Sequence, residues 1–262
     1  MRYFVHCGYN GFNYRGWQRQ PKVTTIQEVF EKTFLNVLKT PIFCIGCGRT
    51  DAMVHAAQYF FHFDYFEELP TDFMFRLNKV LPTDIAIFEI IPVNGYPNAQ
   101  LSATMRTYNY FIHTYKDPFL SMHSSLYLLP NLNIDKMQRA AALLLKHNDY
   151  TAFCRSPLKV ENSICIITKA QLLVSSNGEK LQFQISSRRF LQGMVRLIVQ
   201  RLIDIGKGEL SIDEFESYLI GVNKPPKDKP AYPQGLYLSK IVYPFLDIPQ
   251  RPEFGAVFVD EK

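Results

Sequence analysis

Asp51 lies in the run Gly48-Arg49-Thr50-Asp51-Ala52-Met53-Val54-His55-Ala56, the stretch whose residue types and spacing best suit chemistry. Arg49 and Asp51 stand two apart between Gly48 and the small Ala52, a pattern that reads as a tight turn presenting one carboxylate. An apolar run from Pro41 to Ile45 precedes it, and the aromatic run Tyr59-Phe60-Phe61-His62-Phe63 that follows suits a buried strand. A carboxylate on such a loop can serve as nucleophile or base, provided an opposite charge keeps it ionised. An aspartate that merely caps its own turn fits the same residues. A second candidate is Cys44-Ile45-Gly46-Cys47 with His55 and His62 downstream. Zinc would need four ligands converging on one point, and no second pair follows at finger spacing, so no metal is expected.

From Tyr9 to Lys22, Tyr9, Phe12, Tyr14 and Trp17 interleave with Arg15, Arg19 and Lys22. Basic groups neutralise phosphates and flat rings stack on unpaired bases, so this stretch is a candidate RNA surface. A turn-rich loop with a packed tryptophan is the alternative.

The elements that must position these groups follow from periodicity. Arg2 to Cys7 is short and apolar, as a buried strand would be. Thr25 to Lys39 carries Ile26, Val29, Phe30, Phe34, Val37 and Leu38 at helical spacing, with Thr24 or Thr25 as N-cap. The order repeats with Tyr108 to Tyr115 as strand and Ile134 to His147 as helix. Tyr108 and Tyr110 share a strand face, where a tyrosine is most often core. Leu181 to Ile185 alternates cleanly, and Ser211-Ile212-Asp213-Glu214 fits a capping box. From Leu191 to Gly206, Leu191, Met194, Val195, Ile198, Leu202 and Ile205 form an apolar face, and Gln192, Arg196 and Gln200 a separate polar stripe. By itself Arg196 reads as a solvated arginine. Leu236 to Tyr243 is the last convincing strand. Strands and helices mixed without regular βαβ spacing point to an α+β fold, helices packed on a mainly antiparallel sheet. The turn-rich Pro92 to Pro97 suggests two parts, 1–97 with the aspartate loop and 98–262 with the second set of elements.

The 262 residues are 47% apolar and 20% charged, which suits a globular chain with a sizeable core. No apolar run approaches the roughly 18 residues of a membrane span, and the N-terminus lacks a secretory pattern. Five cysteines argue against a disulfide framework and for a reducing cytoplasm; Cys7, Cys154 and Cys165 read as small core residues. A net charge of +5 and a pI near 8.8 permit an RNA partner without demanding one.

The Asp51 run resembles the active-site motif of the tRNA pseudouridine synthase A family, usually Gly-Arg-Thr-Asp-Ala-Gly-Val-His-Ala. Further matches follow in order over most of the chain: Gly16-Trp17-Gln18-Arg19-Gln20 with Ile26-Gln27-Glu28, Leu77-Asn78, and Leu81-Pro82-Thr83-Asp84-Ile85. Then come Ser102-Ala103 with Arg106, Tyr108 and Tyr110, and Asn148-Asp149-Tyr150-Thr151-Ala152-Phe153. Last are Arg189-Phe190-Leu191 with Met194-Val195-Arg196, and Gly235-Leu236-Tyr237-Leu238. The resemblance implies two similar α+β halves sharing a sheet, with the active-site cleft between them. It implies a cofactor-free isomerase turning uridine into pseudouridine in tRNA, at anticodon stem-loop positions 38–40, and a homodimer. Asp51 would be the catalytic carboxylate. Arg196 would be its counter-charge, lowering its pKa by roughly 1–3 units. Tyr108 would stand against the target base. Arg49, Arg15, Trp17, Arg19, His55, Arg106 and Arg189 would face RNA. A divergent paralogue acting on another RNA site and a non-catalytic RNA chaperone are the alternatives. A nucleoside hydrolase would want a second carboxylate, and none lies near Asp51 in sequence.

Three departures stand out. Met53 replaces the motif glycine and would be strained if that position needs positive φ. Asn98 and Gln100 stand where His and Arg usually precede the Ser-Ala pair, and Asn162-Ser163 stands where an Arg-Thr pair is expected. These touch substrate choice more than reaction type.

Overall fold

The computed structural model describes residues 1–129, 131–226 and 229–249. The chain begins with β1 (Arg2–Tyr9), α1 (Ile26–Leu38), β2 (Ile45–Gly46), β3 (His55–Asp64), α2 (Phe73–Val80) and β4 (Ile85–Val93). It continues through β5 (Met105–His113), β6 (Ser125–Leu126), α3 (Ile134–Leu143), β7 (Ile167–Val174) and β8 (Lys180–Ser187). Last come α4 (Met194–Lys207), α5 (Ile212–Leu219) and β9 (Leu236–Val242). Helices pack on mostly antiparallel sheets, the expected α+β class. The described residues divide into two compact units, one of residues 1–104 with 237–249, the other of residues 105–236.

In the first unit β1 pairs antiparallel with both β3 and β4, and β2 adds to β3. The returning β9 runs parallel to β3, with His55 opposite Tyr237. Seven of the eight β1 residues are buried, so the strand is covered on both faces, which is why its sequence does not alternate. On one face Trp17, Phe30 and Phe34 meet Phe61, with ring centroids 4.7 Å apart for Phe30 and Phe61. On the other, Phe4 stacks on His62, His6 on Phe60, and Tyr243 stands edge-on to Phe4 and Phe60. Helix α1 starts where Thr25 accepts the Glu28 N–H, as the sequence suggests.

In the second unit β8 lies between β5 and β7, antiparallel to both. Leu181, Phe183 and Ile185 are buried while Gln182 and Gln184 between them are half-exposed, the expected alternation of a one-sided sheet. Helix α3 packs against α4, α5 and β7. It ends at Leu143, four residues before the expected end. Ser211 caps α5 by accepting the Glu214 N–H at 3.1 Å, but Glu214 itself accepts the Tyr218 hydroxyl at 2.6 Å. Helix α4 is bracketed by glycines with φ of +73° and +79° at Gly193 and Gly208, which let the chain turn in and out of it.

Candidate active site

The Asp51 loop leaves β2 and enters β3, and its neighbours hold it residue by residue. The Tyr59 hydroxyl donates to the Gly48 carbonyl at 2.6 Å. Thr50 is gripped twice, its hydroxyl 2.9 Å from that of Tyr9 and its carbonyl accepting the Trp17 N–H at 3.2 Å. The Met53 N–H donates to the Tyr14 carbonyl at 3.1 Å, and the Val54 N–H to the Asp51 carbonyl at 3.2 Å. His55 closes the loop, its Nδ1 accepting the Gly11 N–H at 3.1 Å. The loop and the 9–17 segment touch backbone to backbone: a Cβ at Gly11 would strike the Val54 carbonyl, and one at Gly16 the Thr50 carbonyl. Asp51 itself is half-buried at the turn. Met53 has φ +63°, so the position does take the left-handed conformation natural to glycine.

The 9–17 segment is tied to helix α1 in turn. The carbonyls of Gly16 and Trp17 accept the N–H groups of Ile26 and Gln27, two of the donors that a helix start leaves without intrahelical partners. Arg15 and Arg49 are exposed. Arg19 is 58% exposed and pairs with Glu31 at 3.1 Å; the buried Glu31 carboxylate also accepts from Gln27 Nε2 and the Cys44 N–H. Two residues expected on the RNA surface are core instead. Trp17 is 3% exposed with its ring 4.2 Å from that of Tyr59, so the face a base would stack on is already covered. His55 is fully buried and stacks on Tyr237 at 4.4 Å, which makes it a loop anchor.

In the second unit Tyr108 lies on β5 opposite Ile185, half-buried, with its ring edge-on to Phe190 at 5.0 Å. Tyr110 on the same face is fully buried and donates to the Tyr232 carbonyl at 2.7 Å. Burial pushes its hydroxyl well above the ordinary pKa, so it stays protonated. Arg196 is half-buried on α4, its Nε donating to the Ala231 carbonyl at 2.7 Å while the Ala231 N–H returns a bond to its own carbonyl at 3.1 Å. One of the five guanidinium donors thus orients the group. The sequence reading missed Arg201, five residues on: it is 5% exposed, bonded to Asp204 at 2.9 Å and to the Pro226 carbonyl at 3.0 Å. Arg106 donates to the Arg188 carbonyl at 2.7 Å, and Arg189 is exposed.

Some matched residues serve the fold. Asp149 accepts from the Thr151 N–H and from the hydroxyls of Thr151 and Ser163; those bonds hold its carboxyl below the usual range. Asn98 accepts the N–H groups of Gln100 and Leu101, a turn-capping role. Cys44 and Cys47 do not gather the two histidines: His62 Nδ1 accepts the Ala99 N–H, as His55 does that of Gly11. Among the described residues no group of three or more His, Cys, Asp or Glu is placed to hold a metal ion, and no helix is long and apolar enough to cross a membrane.

A model of the tRNA pseudouridine synthase family matches residues 140–244. A tRNA pseudouridine synthase A of Parabacteroides distasonis is 38% identical over 247 residues, covering 93% of this chain and 96% of the relative. The enzyme so named from Bacillus subtilis is 33% identical, covering 93% and 99%. The chain belongs to the tRNA pseudouridine synthase A family. A relative of that name from Porphyromonas gingivalis, 35% identical over 93% of this chain and 97% of its own, fits the same assignment. The match extends well beyond the Asp51 run, so the tRNA pseudouridine synthase A relationship covers both units.

Proposed function

We propose that this chain isomerises uridine to pseudouridine in tRNA, at the anticodon stem-loop positions 38–40, with Asp51 as the catalytic carboxylate. The reaction breaks the N1–C1′ glycosidic bond, turns the uracil and rejoins it through C5. An ionised carboxylate serves by attack at C1′, by addition at C6, or by taking a ribose proton. Arg196 supplies positive charge to the reaction, and Tyr108 offers a ring to the uracil and a hydroxyl for proton transfer. Arg15, Arg19, Arg49, Arg106 and Arg189 meet phosphates, and a uridine within a stem must first be flipped out, which costs a few kcal/mol. The protein acts as a homodimer in the cytoplasm, without cofactor.

The observation that carries this reading is the half-exposed Asp51, held on a loop whose flanking residues are fixed by hydrogen bonds from Tyr9, Gly11, Trp17 and Tyr59. A turn aspartate present only for folding needs no such scaffold. The test maps pseudouridine by carbodiimide-stop sequencing in RNA from cells lacking the encoding gene, incubated with wild-type protein or Asp51→Ala. New sites in anticodon arms that vanish with the variant are expected. Asp51-dependent sites elsewhere would move the target and keep the chemistry; no new sites, with RNA still bound, would leave a chaperone.

A further inference from the structure

Asp84 stands in the turn between α2 and β4 and is bound to the 10–14 segment by backbone and side chain together. Its carbonyl accepts the Asn10 N–H at 2.8 Å, its Oδ1 accepts the Tyr14 hydroxyl at 2.6 Å, and its Oδ2 lies 3.5 Å from Asn13 Nδ2. Tyr14 is buried, and its backbone is the other half of the connection. Its N–H donates to the Gly11 carbonyl at 2.9 Å, and its own carbonyl accepts the Met53 N–H at 3.1 Å. Met53 is the residue in the left-handed conformation, two positions beyond Asp51. An unbroken line of short contacts therefore runs from Asp84 through the Tyr14 side chain and backbone to the strained peptide of the aspartate loop.

We infer that Asp84, acting through Tyr14, is a positioning residue that fixes the Met53 backbone and with it the Asp51 carboxylate. The inference rests on the function proposed above. Positive φ at Met53 is strained for a non-glycine residue; the Asp51–Val54 turn bond at 3.2 Å supports it from within the loop, and the Tyr14 carbonyl supports it from outside. The Tyr14 carbonyl supplies that outside bond, and the Tyr14 side chain, bonded to Asp84, adds to the Gly11 contact in keeping that carbonyl in place. Burial and the neighbouring carboxylate push the Tyr14 hydroxyl far above its ordinary pKa, so it donates to Asp84 at any working pH. Removing the anchor leaves Asp51 chemically intact but less often in register, and small misplacements of a reacting group are expensive in rate.

The test compares wild type, Tyr14→Phe, Asp84→Ala and the double variant as full chains, on an in vitro tRNA transcript with enzyme in excess. Exchange of the Met53 amide is followed by NMR. Each single variant is expected to slow the single-turnover rate about tenfold, the size of one hydrogen bond to a charged group. The tRNA concentration for half-maximal rate should stay within about twofold, because no RNA contact is removed. The Met53 amide should exchange about tenfold faster while amides of β1 and β3 keep their protection. The double variant should be no slower than the singles, since the pair acts as one unit. A wild-type rate in either single variant overturns the inference. So does a slowed rate with unchanged Met53 exchange, or faster exchange spread evenly through the first unit. A wild-type protein that makes no pseudouridine would sink the proposed function instead, and the exchange measurement would still decide whether Asp84 and Tyr14 fix the Met53 backbone.

Discussion

Asp51 stands on a loop that owes its shape to other segments, whereas Tyr108 and Arg196 stand on a regular strand and a regular helix. The loop takes bonds from Tyr9, Tyr14, Trp17 and Tyr59 and lies flush against Gly11 and Gly16. Arg196 takes its backbone position from α4, with a bond to Ala231 among its contacts; Tyr108 takes its own from the β5 register, with the edge of Phe190 among its contacts. A group on a regular element takes its backbone position from that element's periodicity. A group on a borrowed loop is vulnerable at every lender. The first unit should therefore lose activity through residues that carry no chemistry, and the second only through those that do.

The largest effect expected in the second unit is Arg196→Ala. Rate should fall by about a thousandfold, in the range of an electrostatic group acting in the transition state. The fold should survive, because α4 keeps its apolar face and the buried Arg201–Asp204 pair. Circular dichroism with single-turnover kinetics checks both, and ordinary turnover would remove Arg196 from the site. In the first unit Gly16→Ala adds one methyl and removes no functional group. Its Cβ would meet the Thr50 carbonyl, and φ of +88° already disfavours any side chain there. Thr50 must move, Asp51 with it, and a loss of about a hundredfold is expected. If Gly16→Ala were as active as wild type, the contrast between the two units would collapse.

Parts of this design were open to a reading of the sequence. Helices α1 and α5 announced themselves by apolar spacing and by Thr25 and Ser211 at their caps, and β8 by strict alternation. The short α2, which buries only Phe73 and Leu77, and strands β4 and β7 passed unread, being too brief or too mixed to show a period. No local pattern tells β9 to lie beside β3. At the site, residue types pointed to Asp51, and Met53 in a glycine position pointed to the positive φ. Trp17 misled because a ring between basic residues looks the same whether it faces RNA or the core. Tyr14 and Asp84 carried no mark of their connection, since nothing in sequence says that positions 70 apart share a hydrogen bond.

A pH experiment sharpens the contrast at lower amplitude. The first unit's sheet is covered on both faces, which seals His62 between Phe4 and the Ala99 turn. Burial lowers its pKa from 6.5 to about 4. In the folded protein the ring stays neutral where the unfolded chain would protonate it, so the unfolded state binds more protons between those values. Stability is full above about pH 6.5 and falls as pH drops toward 4, by at most about 3 kcal/mol. His62→Asn keeps an acceptor for the Ala99 N–H and removes the titration. Denaturant melts at pH 7.5 and 4.5 should show a smaller difference for the variant than for wild type. An equal difference would place the acid sensitivity elsewhere.

The smallest effect tests whether the strain at Met53 is merely tolerated. A left-handed non-glycine residue costs roughly 1–2 kcal/mol, and glycine gives back about 0.4–1 kcal/mol through its freer unfolded chain. Met53→Gly should therefore stabilise the first unit by at most about 1.6 kcal/mol, visible as a small rise in the denaturant midpoint. Glycine at 53 still has an N–H for the Tyr14 carbonyl, so the loop keeps its outside support and the rate should change by less than about threefold. A rate loss beyond tenfold in a more stable protein would mean that the methionine side chain itself meets the substrate. The strain would then be retained for function, and the borrowed loop would hold two working side chains where the regular elements of the second unit hold one each.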